Sequence, residues 1–274
     1  MPWTETTRKY YERKSDRYSS DTTDKEWAVI TPLLPSPNRL GRPREVDLRD
    51  VWDAIGYVAA SGCAWSLLPK DFPPVSTVRY YFYRWRDEGL LAEINRELVA
   101  MARIAEGRQS QPTAGVIDSQ SVKTTENTSL SGYDAGKKIK GRKRHIMTDT
   151  CGNLVALCVH TADIQDRDGA VSVFQKLRRE ASKLRHVFAD GGYAGPKLRT
   201  ALIGIGSLTI QIVKRCDTAE GFEVLPRRWV VERTFAWLGR CRRLAKDWEK
   251  SIESAEAWVL FAHIRSITRR IARP

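Results

Sequence analysis

The sequence contains few of the residues that build disulfides or nitrogen- and sulfur-ligated metal sites. Its 274 residues include five cysteines and four histidines. The cysteines are odd in number and lack C-x-x-C spacing, which favours a reducing cytoplasm and argues against a disulfide framework or a zinc site. The histidines share no metal-ligand spacing, so each is expected to be packed or at the solvent edge. They are His145, His160, His186 and His263.

Long apolar runs are also missing. No stretch approaches the roughly 20 apolar residues that span a bilayer, although hydrophobic residues make up 42% of the chain. Residues 1–20 mix both charges without an apolar segment, unlike a signal peptide, and are expected to form a flexible arm. The sequence therefore predicts no membrane partner and a cytoplasmic, nucleoid-associated protein.

Acidic residues are outnumbered, and the excess of basic residues is clustered. The chain has 46 Lys and Arg against 33 Asp and Glu, a net charge of +13. Residues 136–144 hold six cations and no anion, and residues 265–274 hold four arginines. Basic clusters of this kind favour a polyanionic partner. Nucleic acid is the first expectation, and an anionic membrane surface is the alternative.

Helical signals dominate residues 21–106. Apolar residues recur at helical spacing over residues 46–62, a proline-rich turn follows, and a second helix is predicted over residues 75–98 with Ser76 or Thr77 as its N-cap. Exposed arginines on the second helix of such a pair are typical of a helix-turn-helix DNA reader. A small helical bundle without DNA is the alternative. The arginines expected to contact DNA here are Arg79, Arg84 and Arg86.

After a linker at residues 107–113 the pattern changes to short β-type runs and helices. Their order is β, β-hairpin, α, β, α, β, α, α. This order predicts an α/β fold, a ribonuclease H-like catalytic domain with a mixed five-stranded sheet over residues 114–274. A small all-α helix-turn-helix-like domain over residues 21–106 precedes it. Because other α/β folds share parts of the order, they remain open at this point.

Two aspartates are expected to meet at one edge of this sheet. Asp118 is predicted to end the first strand and Asp190 the strand after the first helix. Because these strands are parallel neighbours in the predicted topology, their carboxyl ends coincide. Two adjacent carboxylates repel unless a cation lies between them, and oxygen ligands suit Mg²⁺ or Mn²⁺. Gly191 and Gly192 would let the backbone turn sharply and let a substrate approach.

Glu232 is the only carboxylate in residues 227–243, a segment with six arginines. Helical spacing places Glu232 opposite the expected core face, in line with Arg228. With Asp118 and Asp190 it is predicted to complete a metal-binding and catalytic triad, and the alternative is an exposed glutamate paired with Arg228. The expected core face comprises Val230, Thr234, Trp237, Cys241 and Leu244, and the face of Glu232 also carries Ala236, Gly239 and Arg243.

Other carboxylates and hydroxyls fit structural roles. Asp149 precedes a hairpin turn, so it should lie at the opposite end of the sheet from Asp118. Ser119 and Ser121 have no acid–base partner at hydrolase spacing, so a serine nucleophile is not expected. Asp163, Asp166 and Asp168 open a helix, where carboxylates cap N–H groups.

Four motifs, in order, carry a resemblance to a known family. They are "VIDSQSVKTT", "KGRKRHIMTDTCGNL", "VFADGGYAG" and "RRWVVERTFAWLGRCRRLAKDWE". Together with the N-terminal "DKEWAVITPLLP" and "AIGYVAASGCAWSLLP", they closely resemble bacterial insertion-sequence transposases of the DDE type, within the IS-five group. The resemblance begins near Asp21. It implies that Asp118, Asp190 and Glu232 form the metal-binding triad.

The resemblance also implies a role for Arg228, the arginine of a Y-x2-R-x3-E-x6-K signature. Leu225 replaces the signature tyrosine and Gly239 replaces its lysine, with Arg240 beside it. The implied activity is two-metal DNA cleavage and strand transfer with Mg²⁺, or Mn²⁺ as substitute. The implied partner is double-stranded DNA, both transposon terminal inverted repeats and target DNA, bound by a homodimer or higher oligomer. A non-catalytic DNA-binding protein and a metal-dependent nuclease without strand transfer are the alternatives.

The basic clusters near the predicted triad supply the remaining expected DNA contacts. Cations that enter the second strand or lie on the glutamate helix should neutralise backbone phosphates. These residues are Lys123, Lys137, Lys138, Lys140, Arg142, Lys143, Arg144, Arg228, Arg240 and Arg243.

Overall fold

The structure is a computed structural model that describes residues 17–37, 43–126, 128–213 and 228–273. Most of the predicted arm and Leu225 lie outside these residues. The N-terminal part is helical, as expected. Its helices are α1 (Asp24–Ile30), α2 (Leu48–Ser61), α3 (Val75–Asp87) and α4 (Leu90–Ala105).

Local capping explains where these helices begin and end. α1 begins at a capping box in which Thr23 and Glu26 each accept the other's backbone N–H. α3 begins at Val75, with Pro74 in the N-cap position rather than Ser76 or Thr77. Gly89 has a φ of +74° and separates α3 from α4. The single helix predicted over residues 75–98 is therefore two helices.

The C-terminal part contains one mixed sheet. Its strands are β1 (Ala114–Lys123), β2 (Gly132–Asp134), β3 (Ile139–Asp149), β4 (Leu154–Thr161), β5 (His186–Ala189) and β6 (Thr209–Ile212). The main order is β4-β3-β1-β5-β6, and the short β2 pairs with the start of β3. β1, β3 and β4 are antiparallel, whereas β5 and β6 run parallel to β1. The predicted ribonuclease H-like arrangement is confirmed, with β2 as an additional strand.

Helices connect and cover this sheet. α5 (Asp166–Glu180) and α6 (Pro196–Ile203) are the crossovers that allow β5 and β6 to lie parallel to β1. α7 (Trp229–Leu238) packs against β1 and β3, and α8 (Ile252–Ala272) ends the described chain. None of the described helices combines the length and apolarity needed to cross a membrane.

α8 joins the two parts of the molecule. It packs against all four N-terminal helices as well as β4, although the predicted domain boundary places it in the catalytic domain alone. Trp258 of α8 stacks on Phe82 of α3 with ring centroids 4.4 Å apart. His263 of α8 contacts Asn95 of α4, and both side chains hydrogen bond the backbone of Leu154 in β4. The N-terminal helices and the sheet therefore share one continuous buried core.

Candidate active site

Asp118 and Asp190 lie side by side, but not because β1 ends at Asp118 as predicted. β1 continues to Lys123 because it pairs with β3 along this whole length. Its parallel neighbour β5 ends at Ala189, and the register of Val116 with Phe188 places Asp190 next to Asp118. The aspartates thus meet where β5 and β6 end while β1 continues beside β3.

Each aspartate is held by a neighbouring backbone amide. Asp118 Oδ1 accepts the Ser119 N–H at 2.7 Å, and Asp190 Oδ1 accepts the Gly192 N–H at 2.8 Å. In the described part of the chain, the Oδ2 atoms accept no hydrogen bond. Both carboxylates are therefore oriented and keep one oxygen for another ligand.

Glu232 is presented by α7. The buried residues of this helix are Val231, Thr234 and Leu238, a face rotated slightly from the predicted one. Thr234 Oγ1 donates to Gly152 O at 2.8 Å, and Gly152 has a φ of +90°, so the β3–β4 turn and α7 are fixed together. The Glu232 side chain points away from this contact and is 47% exposed. It faces solvent, as the sequence predicts.

Arg228 connects the two carboxylates that come from different elements. It is the N-cap residue of α7, and its Nη2 lies 3.5 Å from Glu232 Oε1 and 3.8 Å from Asp190 Oδ2. In the described residues, no three His, Cys, Asp or Glu side chains converge closely enough to hold a metal ion as they stand. The guanidinium instead compensates the charges of Asp190 and Glu232.

The electrostatics of Asp118 reflect this crowding of carboxylates. Burial and, to a smaller extent, the nearby charge of Asp190 together raise the pKa of Asp118 to about 6. The Ser119 N–H and the cations Lys137 and Arg228 oppose the rise. Lys137 is exposed and belongs to the turn between β2 and β3. It is therefore a cation available to a substrate beside Asp118.

The chemistry of the donors fits divalent cations. The three carboxylates are hard oxygen ligands, and two have an oxygen without a protein hydrogen bond. Asp118 and Asp190 repel each other unless a cation separates them. Asp118, Asp190 and Glu232 are therefore the carboxylates of this region whose chemistry suits such ions, although they do not converge closely enough as they stand.

Asp166 lies below the aspartates and is not a helix cap. Its Oδ1 accepts from Ser119 Oγ at 2.7 Å and from Lys143 Nζ at 2.8 Å. Burial alone would raise the pKa of Asp166, but these hydrogen bonds bring it below its usual value. Asp166 therefore fastens α5 to β1 and β3 beneath the site. Nothing in the local sequence indicates this long-range contact.

Tyr193 anchors the turn that follows Asp190. Its hydroxyl lies 2.7 Å from His145 Nε2, and His145 Nδ1 lies 3.3 Å from His160 Nε2. His160 Nδ1 is 2.9 Å from Thr161 O, which only a protonated Nδ1 can contact favourably. The protons are thereby ordered: Tyr193 donates to His145, His145 to His160, and His160 to the backbone. Both histidines are neutral, since burial lowers the pKa values of both rings.

The other aspartates considered in the sequence analysis contact structural partners away from the candidate site. Asp149 is opposite Gly115, at the other end of the sheet from the triad as predicted, and Arg103 Nη1 lies 2.6 Å from its Oδ2. Asp168 pairs with Lys197 at 2.7 Å. Asp163 comes close to Gly132, where a Cβ atom would collide with its carboxylate.

Arg142 and Arg144 are not phosphate contacts, which corrects the sequence-based prediction. Both side chains are buried, that of Arg142 at 0% exposure. Arg142 donates to Leu130 O, Glu249 O, Lys250 O and Ser251 O and pairs with Asp247. Arg144 donates to Leu244 O and Lys246 O. These two arginines hold the segment between α7 and α8 against β3.

Two further predicted DNA contacts are also corrected. Lys143 is buried and donates to Ile164 O and Asp166. Arg243 lies beyond the end of α7, turns inward, and donates to Glu249 Oε1 from both Nε and Nη2. Buried, satisfied side chains such as these are not free to meet DNA.

The other predicted contacts divide by exposure. Arg86 is bonded to Asp87 and to Ser254 Oγ at the start of α8, so it ties α3 to α8. Arg84 is partly exposed and pairs with Glu88 at 2.8 Å. The predicted DNA contacts that are exposed in the structure are Arg79, Lys123, Lys137, Lys138, Lys140 and Arg240.

Two family models match this chain. The model of the transposase DDE domain matches residues 109–267, more than half of the chain. The chain belongs to the transposase DDE domain family. A second model, described as a putative transposase of the IS4/5 family, matches residues 22–95. The resemblance to insertion-sequence DDE transposases is therefore confirmed, and DDE domains use divalent metal ions.

Individual relatives are more distant. A putative transposase for insertion sequence element IS402 from Burkholderia cepacia is 33% identical over 117 residues, 40% of this chain. The match spans 54% of that relative, about half its length. The crystal structure of the Mos1 strand transfer complex aligns with a TM-score of 0.32 at 12% identity, over 86% of this chain and 79% of that one.

Proposed function

We propose that this chain is a DNA transposase that binds the ends of an insertion sequence and catalyses metal-dependent strand cleavage and strand transfer. The observation that supports the proposal is that Asp118 of β1 lies beside Asp190, where β5 ends, and that Arg228 connects Asp190 to Glu232 of α7. Three carboxylates and an arginine at the open end of a ribonuclease H-like sheet suit chemistry at a phosphodiester.

The chain's own residues would position DNA for this reaction. Asp118, Asp190 and Glu232 would hold divalent ions, Mg²⁺ with Mn²⁺ as substitute. Such ions activate the attacking oxygen and stabilise charge on the leaving oxygen. Lys137 and Arg228 are the nearby cations for the phosphate. A Cβ atom at Gly191 would have no neighbour within 4 Å, so the backbone there leaves space for a DNA strand.

Both reaction steps are in-line displacements at phosphorus. In cleavage, a water oxygen bonds to phosphorus and the 3′ oxygen of the transposon end leaves as a hydroxyl. In strand transfer, that hydroxyl oxygen bonds to a target phosphorus, the target 3′ oxygen leaves, and the proton passes from one oxygen to the other through solvent. The proposed substrates are double-stranded terminal repeats and target DNA, bound by a homodimer or higher oligomer in the cytoplasm. Residues 21–106 would supply part of the end recognition, through Arg79 and Arg84.

A plasmid assay tests the proposal. The substrate is a supercoiled plasmid with the two DNA segments that border the coding sequence. With Mg²⁺ the wild type should nick it at the segment ends and join them to a second plasmid, and a chelator should stop both reactions. Asp118→Asn, Asp190→Asn and Glu232→Gln should bind the DNA but not cut it, whereas Glu93→Gln, an exposed carboxylate of α4, should behave as wild type.

Each failure has a distinct meaning. Cleavage without joining would identify a metal-dependent nuclease. DNA binding with no cleavage in any divalent metal would identify a non-catalytic DNA-binding protein. Near wild-type cleavage by a triad variant would remove that residue from the site.

A further inference from the structure

A second concave surface lies beyond the end of α7. It is lined by residues that end or follow α7, by Ala60 of α2 and by the C-terminal half of α8, and its volume is about 620 Å³. No Asp or Glu side chain is among its described lining residues. We name this surface the arginine cleft, because five arginines line it: Arg240, Arg265, Arg269, Arg270 and Arg273.

The cleft keeps a positive charge after its internal contacts are considered. Arg265 is fixed in the wall, where its Nη1 donates to Gly56 O at 2.8 Å and its Nη2 to Ser20 O at 2.9 Å. Arg269 Nε lies 3.8 Å from Glu26 Oε1. The second carboxylate oxygen of Glu26, Oε2, already accepts the Thr23 N–H. Arg240 and Arg273 are exposed and form no ion pair with the described residues. A concave surface of one charge concentrates anions.

The spacing of the arginines on α8 also indicates an anionic ligand. Arg265, Arg269 and Arg273 recur every fourth residue, so they lie on one face of the helix. Like charges at this spacing repel each other on a helix. One carboxylate, Glu26, approaches this row from α1. A bound polyanion would offset the repulsion that remains.

A stripe of α7 connects the cleft to the candidate active site. Trp229 follows Arg228 directly, and Trp237 lines the cleft. Between them lies the Arg233 guanidinium, 4.9 Å from the Trp229 ring and 4.6 Å from the Trp237 ring. At 1.5 Å and about 100° per residue, Trp237 lies about 7.5 Å along the helix from Glu232 and about 140° around its axis. The stripe therefore runs obliquely around α7, from the residue after Arg228 to the cleft.

From this arrangement we propose that the arginine cleft binds backbone phosphates of the same duplex DNA whose reacting phosphate lies at Asp118, Asp190 and Glu232. The inference rests on the proposed function and deepens it, because it locates the DNA next to the reacting bond. The ligand is recognised by its phosphates alone, so binding at the cleft is independent of base sequence.

The test compares two sets of three charge-removing substitutions in the full chain. The cleft variant is Arg240→Gln, Arg269→Gln and Arg273→Gln, and it leaves Arg265 and Arg270 to support the wall. The control variant is Arg179→Gln, Lys183→Gln and Arg199→Gln, three exposed cations outside the cleft. Affinity for a 40-base-pair duplex is measured by fluorescence anisotropy at several salt concentrations without divalent metal.

The cleft variant should bind at least tenfold more weakly at 0.1 M salt. Its plot of log affinity against log salt should flatten by about two to three units, since each lost phosphate contact removes about 0.9. The control should keep the wild-type slope, and Arg→Lys at the three cleft positions should restore it.

Equal slopes for the cleft variant and the control would overturn the inference while the proposed function stands. A wild type that binds no duplex would instead overturn the proposed function. If the triple variant does not fold, a double variant, Arg240→Gln and Arg273→Gln, is used instead, since neither arginine pairs with a carboxylate in the described part of the chain. It should still flatten the slope by about one to two units, and an unchanged slope would overturn the inference.

Discussion

Arg228 Nη2 lies 3.8 Å from Asp190 Oδ2, so the first turn of α7 meets the carboxylate that follows β5. The same nitrogen is 3.5 Å from Glu232 Oε1. Both separations exceed a hydrogen bond, so neither carboxylate holds the guanidinium in a bidentate pair. Arg228 is thus oriented by two carboxylates but keeps its planar set of donors for a third anion.

We expect Arg228→Lys to slow single-turnover cleavage of pre-bound ends by at least tenfold at saturating Mg²⁺. Lysine keeps the charge but cannot reproduce a bidentate contact with a phosphate. Arg179→Lys, at an exposed position of α5, is the matched control. A rate within about twofold of wild type, under ~0.5 kcal/mol of barrier, would leave Arg228 as a support for Glu232.

The meeting of Asp118 and Asp190 was predictable because it follows from chain order. A strand, a helical crossover and a parallel strand place equivalent strand ends together, whatever the side chains in between. The exact register was not predictable. β1 extends past Asp118 because β3 offers it a partner as far as Gly141, and such pairing is a long-range property.

The buried basic residues were not predictable from local patterns. Residues 142–144 belong to a central strand that is covered on both faces, by α5 on one and by the segment after α7 on the other. The partners of Arg142 and Arg144, such as Asp247 and Leu244 O, lie about a hundred residues away in sequence. A basic run therefore looks like a solvated surface until its distant partners are known. By contrast, the four-residue spacing of arginines on α8 was visible in the sequence.

Arg142→Gln should lower the free energy of unfolding by about 3–5 kcal/mol, the usual cost when one member of a buried ion pair is removed. It would leave Asp247 and several carbonyls without their donor. Urea denaturation checks this. Arg79→Gln, on an exposed part of α3, should change the value by less than about 0.5 kcal/mol. Similar losses from both variants would contradict the buried role of Arg142.

Removal of the exposed lysines near Arg142 should weaken DNA binding and leave stability almost unchanged. Lys137, Lys138 and Lys140 are exposed on the turn between β2 and β3 and at the start of β3. Changing all three to Gln should leave the unfolding free energy within about 1 kcal/mol of wild type. The salt dependence of duplex binding should flatten by about 0.9 for each phosphate contact that is lost. An unchanged slope would remove this turn from the DNA interface.

Tyr193→Phe should slow cleavage without weakening DNA binding. The change leaves His145 Nε2 buried without a donor, which costs about 1–3 kcal/mol of stability. It also loosens the turn that carries Asp190, so the turnover rate should fall several-fold while duplex affinity stays the same. Tyr133→Phe, an exposed tyrosine, is the control. A stable variant with the wild-type rate would show that the Asp190 turn is held by other contacts.

His263 makes the stability of the molecule depend on pH. Its Nδ1–H donates to Asn95 Oδ1 at 2.6 Å, and its Nε2 accepts the Leu154 N–H at 3.1 Å, so the ring must be neutral. Burial and, to a smaller extent, the charge of Arg270 lower its pKa to about 3, and the charge of Asp149 opposes this change. The pKa in the unfolded chain is about 6.5. Between pH 6.5 and 3 the unfolded state therefore binds more protons than the folded state.

Stability should consequently be complete above pH 6.5 and fall as the pH drops towards 3, by about 1.4 kcal/mol per pH unit for this one group. His263→Gln tests the assignment, because an amide can donate to Asn95 and accept from Leu154 without titrating. The unfolding free energies of wild type and variant, measured by urea denaturation at pH 7.5 and 5, should converge at the lower pH. His145, whose pKa burial also lowers to about 3, remains in both proteins and contributes equally. A constant difference between the two proteins across this range would show that His263 does not control the acid sensitivity.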